Sequence, residues 1–514
     1  MYSSILTGCI SGVEAAMVHA EIDISTGLPG FSLVGSLGSE VKEAKERVQV
    51  ALKNSGFHLP PNKITVNLSP ANIRKEGTGF DVPIAIGLLQ AIGYFTEMQT
   101  ENMFFVGELG LDGEIKPVKG ILPIVRMAAN AGVHCCFVPY ENRMEGSMVS
   151  EIDIRGVSHI SDLVSFLRQK SHKEKDIILP ICKTSFGDVL NWKSKQEISD
   201  FSQVKGQRLA KRAAEIAAAG FHNMLMCGPP GGGKSMIAKR IPGILPEMTE
   251  EECLEVSSIY SVAGKLSSDQ PLVLQRPFIS PHHTTTYSAL VGGGTKGKPG
   301  AISLAHRGVL FLDELTEFSR PVLECLRQPL EDRQIVLARN YGTYTYPADF
   351  MLICAMNPCK CGYYPDRNKC SCSDGDLQQY RNKISGPLLD RIDLYVETSQ
   401  IDIFDLKEKG KEESTQQIRV RVMKARARQK ERFQHSRYSF NGEMSDRDIE
   451  NYCILGTEQQ KLVEAAYKKM GMSARSYQKV LKVARTIADL AGEDRIGVDH
   501  LGEALSYRFA ERKA

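Results

Sequence analysis

Hydrophobic residues over the first 168 positions follow two alternating periods. Apolar and polar positions alternate over residues 13–24 and again over 64–68, and this period of two predicts strands. Residues 39–55 and 80–94 space their apolar positions three and four apart, which predicts helices. We therefore expect residues 1–168 to form an α/β or α+β domain of their own.

The pattern changes after residue 168. Residues 169–200 open with polar and charged residues that have no apolar period, which predicts an exposed and mobile linker. Residues 201–400 contain short, wholly apolar runs that are typical of strands buried on both faces. Residues 401–514 show helical spacing. The chain is predicted to be an α/β multidomain protein with an N-terminal domain, a linker, an α/β core and a helical C-terminal lid.

A glycine-rich loop follows the first apolar run of the core. The run at residues 224–227 predicts a strand, and residues 236–240 begin a helix-like segment, so strand, loop and helix stand in the order of a phosphate-binding P-loop. The alternative is a glycine-rich turn with a chance lysine, but the spacing G-x-x-x-x-G-K-[ST] is complete. The predicted ATP-binding residues are Gly228, Pro229, Pro230, Gly231, Gly232, Gly233, Lys234 and Ser235.

Two of these side chains have defined chemical tasks in such a loop. Lys234 would reach the β- and γ-phosphates of ATP, and Ser235 would be a ligand of Mg²⁺. The backbone N–H groups of the loop and the start of the following helix would supply further donors to phosphate oxygens. ATP and Mg²⁺ are therefore the predicted cofactors.

Two acids end the second apolar run, at residues 309–312. Asp313 is predicted to hold Mg²⁺ through water, and Glu314 to polarise the attacking water, because phosphoryl transfer mainly needs positioning and neutralisation of charge. The alternative is that the acids only cap the next helix. The upstream P-loop favours the catalytic interpretation.

Three later residues resemble motifs of AAA+ ATPases. Asn357 follows the third apolar run and is similar to sensor 1, which helps to orient the lytic water. Arg391 resembles the arginine finger, which would act in trans on a neighbour's γ-phosphate, and Arg475 resembles sensor 2, which would act in cis. Arg327 and Arg333 are the competing candidates for the finger. A fixed order of five motifs is far more specific than one arginine.

Two loops of the core are candidates for contact with DNA. Residues 280–308 lie just before the acids and resemble the helix-2 insert of the magnesium-chelatase and minichromosome-maintenance branch of AAA+ proteins, and residues 334–346 resemble that branch's second hairpin. Both would point into the channel of a ring, where cations contact phosphates and a tyrosine stacks on bases. The alternative is a solvated loop and an ordinary hairpin. The candidate DNA-binding residues are Lys296, Lys298, Arg339 and Tyr341.

Four of the thirteen cysteines lie close together. Cys359, Cys361, Cys370 and Cys372 offer the four soft ligands that a structural Zn²⁺ requires, although C-x-C is tighter than the usual spacing. The alternative is four unligated thiols in a polar loop, which would be liable to oxidation. We predict a Zn²⁺ site here, and the other nine cysteines are predicted to be small core or scattered residues.

Composition indicates the class of protein and its expected location in the cell. A chain of 514 residues, 42% hydrophobic and 24% charged, has the balance of a soluble protein of several domains. A net charge of +3 does not indicate a nucleic-acid binder, so any basic surface is local. A basic run at residues 414–434 does not fall on one helical face and is more typical of a solvated helix. Without a signal-peptide pattern or a membrane-spanning stretch, we expect a cytoplasmic protein with no membrane partner.

The N-terminal domain resembles the Lon-protease-type domain, which shares the ribosomal S5 domain 2 fold. The likeness rests on residues 74–81 and 107–120. In that family the first pattern carries a nucleophilic serine and the second a lysine base. Here the serine position falls on Gly79 and the lysine position on Leu122, so the dyad is missing. The resemblance implies a non-proteolytic relative.

Taken together, the S5 domain 2-like domain, the P-loop AAA+ core with its helix-2 insert, the cysteine-rich loop and the lid resemble the ComM and YifB family of magnesium-chelatase-like ATPases. The resemblance implies a homohexameric motor on single-stranded or branched DNA, a helicase that acts in branch migration during natural transformation, with recombination proteins as candidate partners. The alternatives are the ATPase subunit of a metal-inserting magnesium chelatase and a Lon-like ATP-dependent protease. Stimulation of ATP turnover by DNA or by unfolded protein separates them.

Overall fold

A computed structural model describes residues 1–191, 199–294, 297–339, 342–400, 412–434, 436 and 438–508. Within these ranges no helix is both long enough and apolar enough to cross a membrane. The chain forms a mixed α/β structure with two large sheets and a helical C-terminal region.

The first 191 residues build an eight-stranded sheet in the order β10-β9-β8-β5-β1-β2-β4-β3. The predicted strands and helices of residues 13–94 are confirmed. The elements are β1 (Tyr2–Ser11), β2 (Glu14–Ser25), β3 (Gly30–Val34), α1 (Ser39–Lys42), α2 (Ala44–Asn54), β4 (Lys63–Ser69), α3 (Asp81–Ala91), β5 (Met103–Phe105), β6 (Glu108–Leu109), β7 (Ile115–Lys116), α4 (Ile121–Asn130), β8 (Cys135–Pro139), α5 (Arg143–Gly146), β9 (Asp153–Val157), α6 (Ile160–Arg168), α7 (His172–Ile178), β10 (Ile181–Cys182) and α8 (Phe186–Asn191).

The segment predicted as a bare linker is partly structured. Helix α7 and strand β10 lie inside it, and β10 extends the first sheet by pairing antiparallel with β9. Leu179 is buried, and its carbonyl accepts a hydrogen bond from Arg155, which also pairs with Asp176 at 2.8 Å. Composition alone missed this element because its contacts are made with a distant strand and not within the segment.

Residues 208–397 build a second, five-stranded sheet in the order β12-β15-β18-β11-β19, in which every pairing is parallel. The three predicted apolar runs are confirmed as strands. The elements are α9 (Arg208–Gly220), β11 (Met224–Cys227), α10 (Lys234–Ile244), α11 (Glu250–Ala263), β12 (Phe278–Ile279), α12 (Tyr287–Val291), β13 (Gly292–Gly293), β14 (Lys298–Pro299), α13 (Ala301–Leu304), β15 (Val309–Leu312), α14 (Arg320–Glu324), α15 (Arg327–Asp332), β16 (Gln334–Arg339), β17 (Gly342–Pro347), β18 (Met351–Met356), α16 (Asp374–Arg381), α17 (Gly386–Leu389) and β19 (Leu394–Glu397).

The C-terminal region is helical, as predicted. Its helices are α18 (Thr415–Arg432), α19 (Asp446–Tyr452), α20 (Thr457–Met470), α21 (Ala474–Ala491) and α22 (Val498–Ser506). The apolar face of α21 joins the core that also contains the alanines of α9 and the strands β11 and β15. Arg432 pairs with the fully buried Asp489 at 2.6 Å, which ties α18 to α21. The helical region therefore packs directly on the second sheet.

The parallel sheet has two opposite sides, one at each end of its strands. All five strands run in one direction, so their carboxyl ends meet at one edge and their amino ends at the other. We call these the carboxyl edge and the amino edge. Loops at the carboxyl edge of such sheets are the usual place for ligands.

Candidate nucleotide site and its surroundings

The glycine-rich loop lies at the carboxyl edge, between β11 and α10. Gly231 and Gly233 have φ of 77° and 76°, the left-handed region that favours glycine, and a Cβ on either would meet nothing within 4 Å. A Cβ on Gly228 would lie 2.1 Å from the Thr398 hydroxyl at the end of β19, so this position has no room for a side chain. The backbone therefore curls into an open cup above the start of α10.

Lys234 is the first residue of α10 and points back into this cup. Its ammonium donates to the carbonyls of Gly228 at 2.7 Å and Pro229 at 2.9 Å and to Asn357 Oδ1 at 3.3 Å. Burial lowers the pKa of Lys234, which is only 8% exposed. Asn357 follows β18 directly, so the structure brings two of the predicted motifs together.

Ser235 and Asp313 face each other across the same edge. The Ser235 hydroxyl donates to Asp313 Oδ2 at 2.6 Å, and the Asp313 Oδ1 accepts from the backbone N–H of Glu314 at 3.0 Å. A hydroxyl and a carboxylate are the hard oxygen ligands that Mg²⁺ prefers, so this pair fits the ion that a nucleoside triphosphate carries. The cup, the buried ammonium and this pair fit ATP and Mg²⁺.

Glu314 has a contact that the sequence analysis missed. Its backbone is left-handed, with φ of 51°, and its carboxylate Oε2 lies 3.4 Å from His283 Nδ1. His283 stands shortly after β12, the strand that pairs with β15, so the two side chains extend from neighbouring strand ends. The two residues come together because β12 pairs in parallel with β15. A strand of two residues is too short to be found from the hydrophobic periodicity of the sequence.

The two predicted arginines lie at the amino edge, away from the glycine-rich loop. Arg391 precedes β19 and is 8% exposed, and its guanidinium donates to the carbonyl of Pro387 at 2.6 Å and pairs with Glu331 at 2.7 Å. Arg475, at the start of α21, pairs with the same Glu331. The backbone carbonyl of Arg391 accepts from Asn223, the residue before β11. The two arginines therefore share one carboxylate.

The cis role that the sequence predicts for Arg475 stays a prediction. Arg475 was expected to act in cis, on the nucleotide of its own chain. Within the described residues its guanidinium contacts Glu331 at the amino edge, whereas residues 228–235 lie at the other edge. The reason is the packing of α21, where the Lys479 ammonium lies 2.8 Å from Asp393, immediately before β19.

A cavity of about 750 Å³ opens at the amino edge between the second sheet and the C-terminal helices. Arg391, Arg475 and Arg333 line it, together with Lys479 and Lys482. Arg333 pairs with Glu443 at 2.6 Å, and Arg327, the other competing candidate, pairs with Glu324 at 2.9 Å. The cavity therefore has a wall of cations, most of which pair with acids of the same chain, and Arg391 and Arg475 share one of these acids.

The four clustered cysteines converge in space. Their sulfur atoms all lie within 4.8 Å of one another, with Cys359 Sγ 3.3 Å from Cys361 Sγ and 3.8 Å from Cys370 Sγ. A tetrahedral zinc with Zn–S bonds of about 2.3 Å separates its sulfurs by roughly 3.8 Å, so the cluster, with Cys372, fits the ion. The hydrogen bond from the Tyr363 backbone lowers the pKa of Cys361, whereas the pKa values of Cys370 and Cys372 are raised within the same cluster.

The cysteine loop also touches the glycine-rich loop. A Cβ on Gly362 would lie 2.8 Å from Pro230 Cδ, so the two backbones approach closely. The Tyr380 hydroxyl of α16, at the far end of the loop, accepts from Thr316 at 2.7 Å, two residues after Glu314. The cluster thus lies against both halves of the carboxyl edge.

The two candidate DNA hairpins pack against each other. The Tyr346 hydroxyl of β17 donates to the Gly297 carbonyl at 2.7 Å, in the turn between β13 and β14, and Lys298 is exposed beside it. Lys296 and Tyr341 lie outside the described residues, as does the side chain of Arg339. The two hairpins therefore form one unit.

The basic run of α18 has a structural role. Arg419 pairs with Glu247 at 2.8 Å, Arg421 with Glu215, and Arg428 with Asp494 at 2.7 Å. These pairs join α18 to other elements of the second half of the chain. The helix is therefore not simply solvated, as its composition predicted, because one face is buried and its arginines pair with acids of other elements.

The Lon-like motifs of the first domain lead to a contact between the two halves of the chain. A Cβ on Gly79 would lie 3.1 Å from Val106, and Leu122 is fully buried. The Leu122 backbone donates to Glu145 Oε1 at 3.0 Å, and the same oxygen accepts from Ser261 of α11. The place of the lysine base is therefore filled by an apolar side chain at an interface.

Family models for the magnesium chelatase subunit ChlI match three parts of the chain. The model described as magnesium chelatase subunit ChlI matches residues 200–406, that of subunit ChlI of Mg-chelatase matches 20–142, and that of the ChlI C-terminal region matches 412–508. Together these matches cover well over half of the chain.

Several proteins are similar to nearly the whole chain. Competence protein ComM of Haemophilus influenzae is 42% identical over 503 residues, which are 98% of this chain and 96% of that protein. YifB of Escherichia coli is 40% identical over 511 residues, 99% of this chain and 97% of that protein. A Lon protease of Trichlorobacter lovleyi is 23% identical over 173 residues, 31% of this chain and 21% of that protein.

Proposed function

This chain belongs to the ComM and YifB family of ChlI-type, magnesium-chelatase-like AAA+ proteins, and on that premise we propose that it is an ATP-driven ring motor that moves DNA. The observation that carries the ATPase part is the convergence of Lys234, Ser235, Asp313 and Asn357 at the carboxyl edge. ATP, when bound with Mg²⁺, supplies the phosphoanhydride bond whose hydrolysis drives the motor.

The residues of the carboxyl edge bind and orient the nucleotide. Lys234 exchanges its carbonyl partners for phosphate oxygens, and the backbone N–H groups of residues 231–235 donate to the same oxygens. Ser235 and Asp313 would hold the magnesium ion, which would neutralise phosphate charge. Burial around Lys234 strengthens its attraction to phosphate because fewer waters screen the charge.

Two further residues act on the attacking water. Glu314 accepts its proton or polarises it, and the Asn357 amide fixes its position near the γ-phosphate. Both stand at the ends of neighbouring strands, β15 and β18, which holds their backbones in a fixed relation. The acids at 313 and 314 divide the work between charge neutralisation and activation of water.

The amino edge of one subunit completes the carboxyl edge of the next in a homohexameric ring. Arg391 is the arginine finger of this proposal, and Arg475 joins it in trans because both guanidinium groups converge on Glu331. Their release from Glu331 toward the neighbour's γ-phosphate neutralises charge that develops in the transition state. A single subunit therefore lacks half of its site.

The paired hairpins are the DNA-contacting part of the ring. Lys298, with Lys296, Arg339 and Tyr341, lines the channel and tracks a single-stranded or branched DNA backbone. The hydrogen bond from Tyr346 to Gly297 supports a joint movement of the two hairpins.

The remaining parts have supporting roles. Residues 1–168 form a non-proteolytic S5 domain 2-like domain, 169–200 the connection, 201–400 the AAA+ core with its helix-2 insert, and 401–514 the lid. The cysteine cluster holds a structural Zn²⁺. The relation to competence protein ComM supports a cytoplasmic role in natural transformation, with DNA branch migration as the activity and recombination proteins as partners.

A second candidate is an ATPase subunit of a metal-inserting chelatase, which the names of the matching family models favour. Such a subunit would respond to partner proteins and a porphyrin and not to DNA.

The test measures ATP turnover without polymer, with single-stranded DNA, with a four-way junction and with casein, at a stated salt concentration, with Lys234→Ala as the blank. We expect stimulation by DNA that weakens steeply with salt, because phosphate contacts release counterions. Lys234-dependent turnover that ignores every DNA would refute the motor and favour the chelatase-type ATPase.

A further inference from the structure

Asn223 stands at the amino edge, directly before β11, and each of its polar atoms makes a hydrogen bond. Its side-chain amide donates to the Arg391 carbonyl at 3.0 Å, and its Oδ1 accepts from the Leu352 backbone N–H at 2.8 Å. Its backbone N–H donates to Asp393 Oδ2 at 2.9 Å, and its carbonyl accepts from the backbone N–H groups of Asp393 at 2.9 Å and Leu394 at 3.0 Å. One asparagine therefore joins the beginnings of β11, β18 and β19 to the candidate arginine finger.

The three strands that begin at Asn223 end at the nucleotide site. Strand β11 continues into the glycine-rich loop, β18 into Asn357, and β19 into Thr398, whose backbone N–H donates to the Cys227 carbonyl at 2.8 Å. The four residues of β11 are buried and pair with β18 on one side and β19 on the other. They span about 13 Å. Because close-packed strands transmit displacement, this central part of the sheet moves as one body.

The reach of Arg391 toward a neighbour depends on its backbone. Its guanidinium pairs with Glu331 within the chain, so it must leave this partner before it contacts another subunit. Its position is then set by the backbone from which it extends, whose N–H donates to the Leu388 carbonyl at 2.9 Å and whose carbonyl accepts from Asn223. A displacement of about 1 Å in such a group can lower a rate about 10²-fold.

We propose that Asn223 is a positioning residue for the arginine finger, and that it holds the Arg391 that a subunit offers to its neighbour at a fixed offset from the subunit's own nucleotide site. This inference rests on the trans arrangement proposed above and assigns the placement of its finger to one side chain. The bonds to Asp393 and Leu394 are made by the Asn223 backbone. A substitution therefore removes only the two side-chain bonds, to Arg391 and Leu352.

Asn223→Asp isolates the bond to Arg391. The aspartate keeps an oxygen for the Leu352 N–H but places a second oxygen, in place of the donor, against the Arg391 carbonyl. The matched control is Asn382→Ala, which removes an exposed amide from the segment between α16 and α17. Nucleotide binding and thermal melting of the full-length proteins establish that each variant is folded, and Asn223→Ala serves if the aspartate variant is not.

The test measures kcat and KM for ATP by phosphate release, for each variant alone and in mixtures. We expect Asn223→Asp to lower kcat about ten- to fiftyfold with KM unchanged, because its own nucleotide site is intact. Asn382→Ala should match the wild type. Asn223→Asp should recover turnover when it is mixed with Lys234→Ala, which supplies a well-placed finger, but not when it is mixed with Arg391→Ala, which supplies none.

A role in the stability of the sheet alone gives a different pattern of mixing. Damage to the variant's own nucleotide site would raise KM and prevent recovery beside Lys234→Ala, and this result would overturn the inference. Recovery beside Arg391→Ala, or an unchanged kcat for folded Asn223→Asp, would overturn it as well, because the finger would then be correctly placed without the side-chain bond.

Failure of the proposed function has separate signatures. If Lys234→Ala and Arg391→Ala enter one ring but recover no turnover together, the trans finger is wrong and this inference is lost with it. A wild-type rate equal to the Lys234→Ala blank would remove the ATPase activity itself. Recovery in that reference mixture, with the asymmetry of Asn223→Asp absent, counts against the inference alone.

Discussion

The two edges of the parallel sheet present complementary groups of charges. At the carboxyl edge Lys234, Ser235 and Asp313 lie around an open cup of backbone N–H groups. At the amino edge Arg391 and Arg475 converge on the one carboxylate of Glu331. The carboxyl edge presents hydrogen-bond donors that suit an anion, and the amino edge presents two arginines that pair with a carboxylate of the same chain. On the function proposed above, one chain therefore carries two half-sites, one at each edge of the sheet.

The largest expected effect comes from disabling each edge in turn. Lys234→Ala and Arg391→Ala should each lower ATP turnover of the assembled protein about 10²- to 10³-fold, because each removes a cation from the developing charge. Mixing the two inactive proteins should restore a measurable fraction of turnover, since an Lys234→Ala subunit still offers its arginines to an Arg391→Ala neighbour. Phosphate release over a range of mixing ratios measures this recovery.

Matched controls separate this result from loss of structure. Lys239→Ala, an exposed position on the same helix as Lys234, and Arg495→Ala, an exposed arginine of the C-terminal region, should retain full turnover. Mixtures that stay inactive although both variants enter one ring would contradict the division of the site between two subunits.

Arg475→Ala tests which subunit's nucleotide this arginine serves. We expect about a tenfold loss of turnover, smaller than for Arg391 because Arg475 is more exposed and its pair with Glu331 is solvent-accessible. Mixing with Lys234→Ala subunits should restore activity if Arg475 serves the neighbour. If it serves its own chain, no mixing ratio should raise the rate above the sum of the two separate proteins.

The difference between the edges also explains what the sequence could predict. The residues of the carboxyl edge could be expected to lie together because they follow directly after apolar runs, and parallel strands bring their carboxyl ends together. The position of Arg475 depends on how α21 packs against the residue before β19, through Lys479 and Asp393, which are far apart in the chain. No local pattern in the sequence predicts such a contact.

Two other outcomes have the same physical cause. Strand β10 was missed because its partner β9 lies elsewhere in the chain, although the polar composition of the segment was interpreted correctly as exposed. His283 was not predicted from the sequence, because its contact with Glu314 exists only when β12 pairs with β15. The convergence of the four clustered thiols, by contrast, was predictable because all four come from one loop.

Loss of the cysteine cluster should weaken the carboxyl edge without abolishing it. Purified protein should contain about one zinc per chain, and Cys359→Ser should lose most of it, because a tetrahedral site needs all four thiolates. Since Gly362 packs on Pro230, we expect KM for ATP to rise about fivefold and Tm to fall by about 5 °C. Elemental analysis, kinetics and calorimetry measure the three quantities.

The control for this prediction is Cys325→Ser, a half-buried thiol outside the cluster, which should keep both zinc and KM. Zinc-free wild-type protein with normal KM would show that the four thiols act without a metal.

The smallest expected effect concerns the hairpins, which connect the two edges. The β13–β14 hairpin is linked to the carboxyl edge through α12 and His283, and it contacts β17. Asp349, two residues after the end of β17, lies 3.5 Å from Arg333 at the amino edge. Movement of DNA against Lys298 would therefore displace residues at both half-sites. Lys298→Ala should weaken binding of single-stranded DNA only about two- to threefold and lower the slope of log K against log salt by about 0.7 per lost phosphate contact.

Lys424→Ala on α18 is the matched control for Lys298→Ala, because it removes an exposed lysine from a helix whose arginines pair with acids of the same chain. Titrations at several salt concentrations should leave its slope unchanged. Equal losses for both variants would mean that DNA binds through general positive charge and not through the hairpin. The link between the edges would then have to be sought in subunit packing, because DNA bound elsewhere exerts no pull on α12.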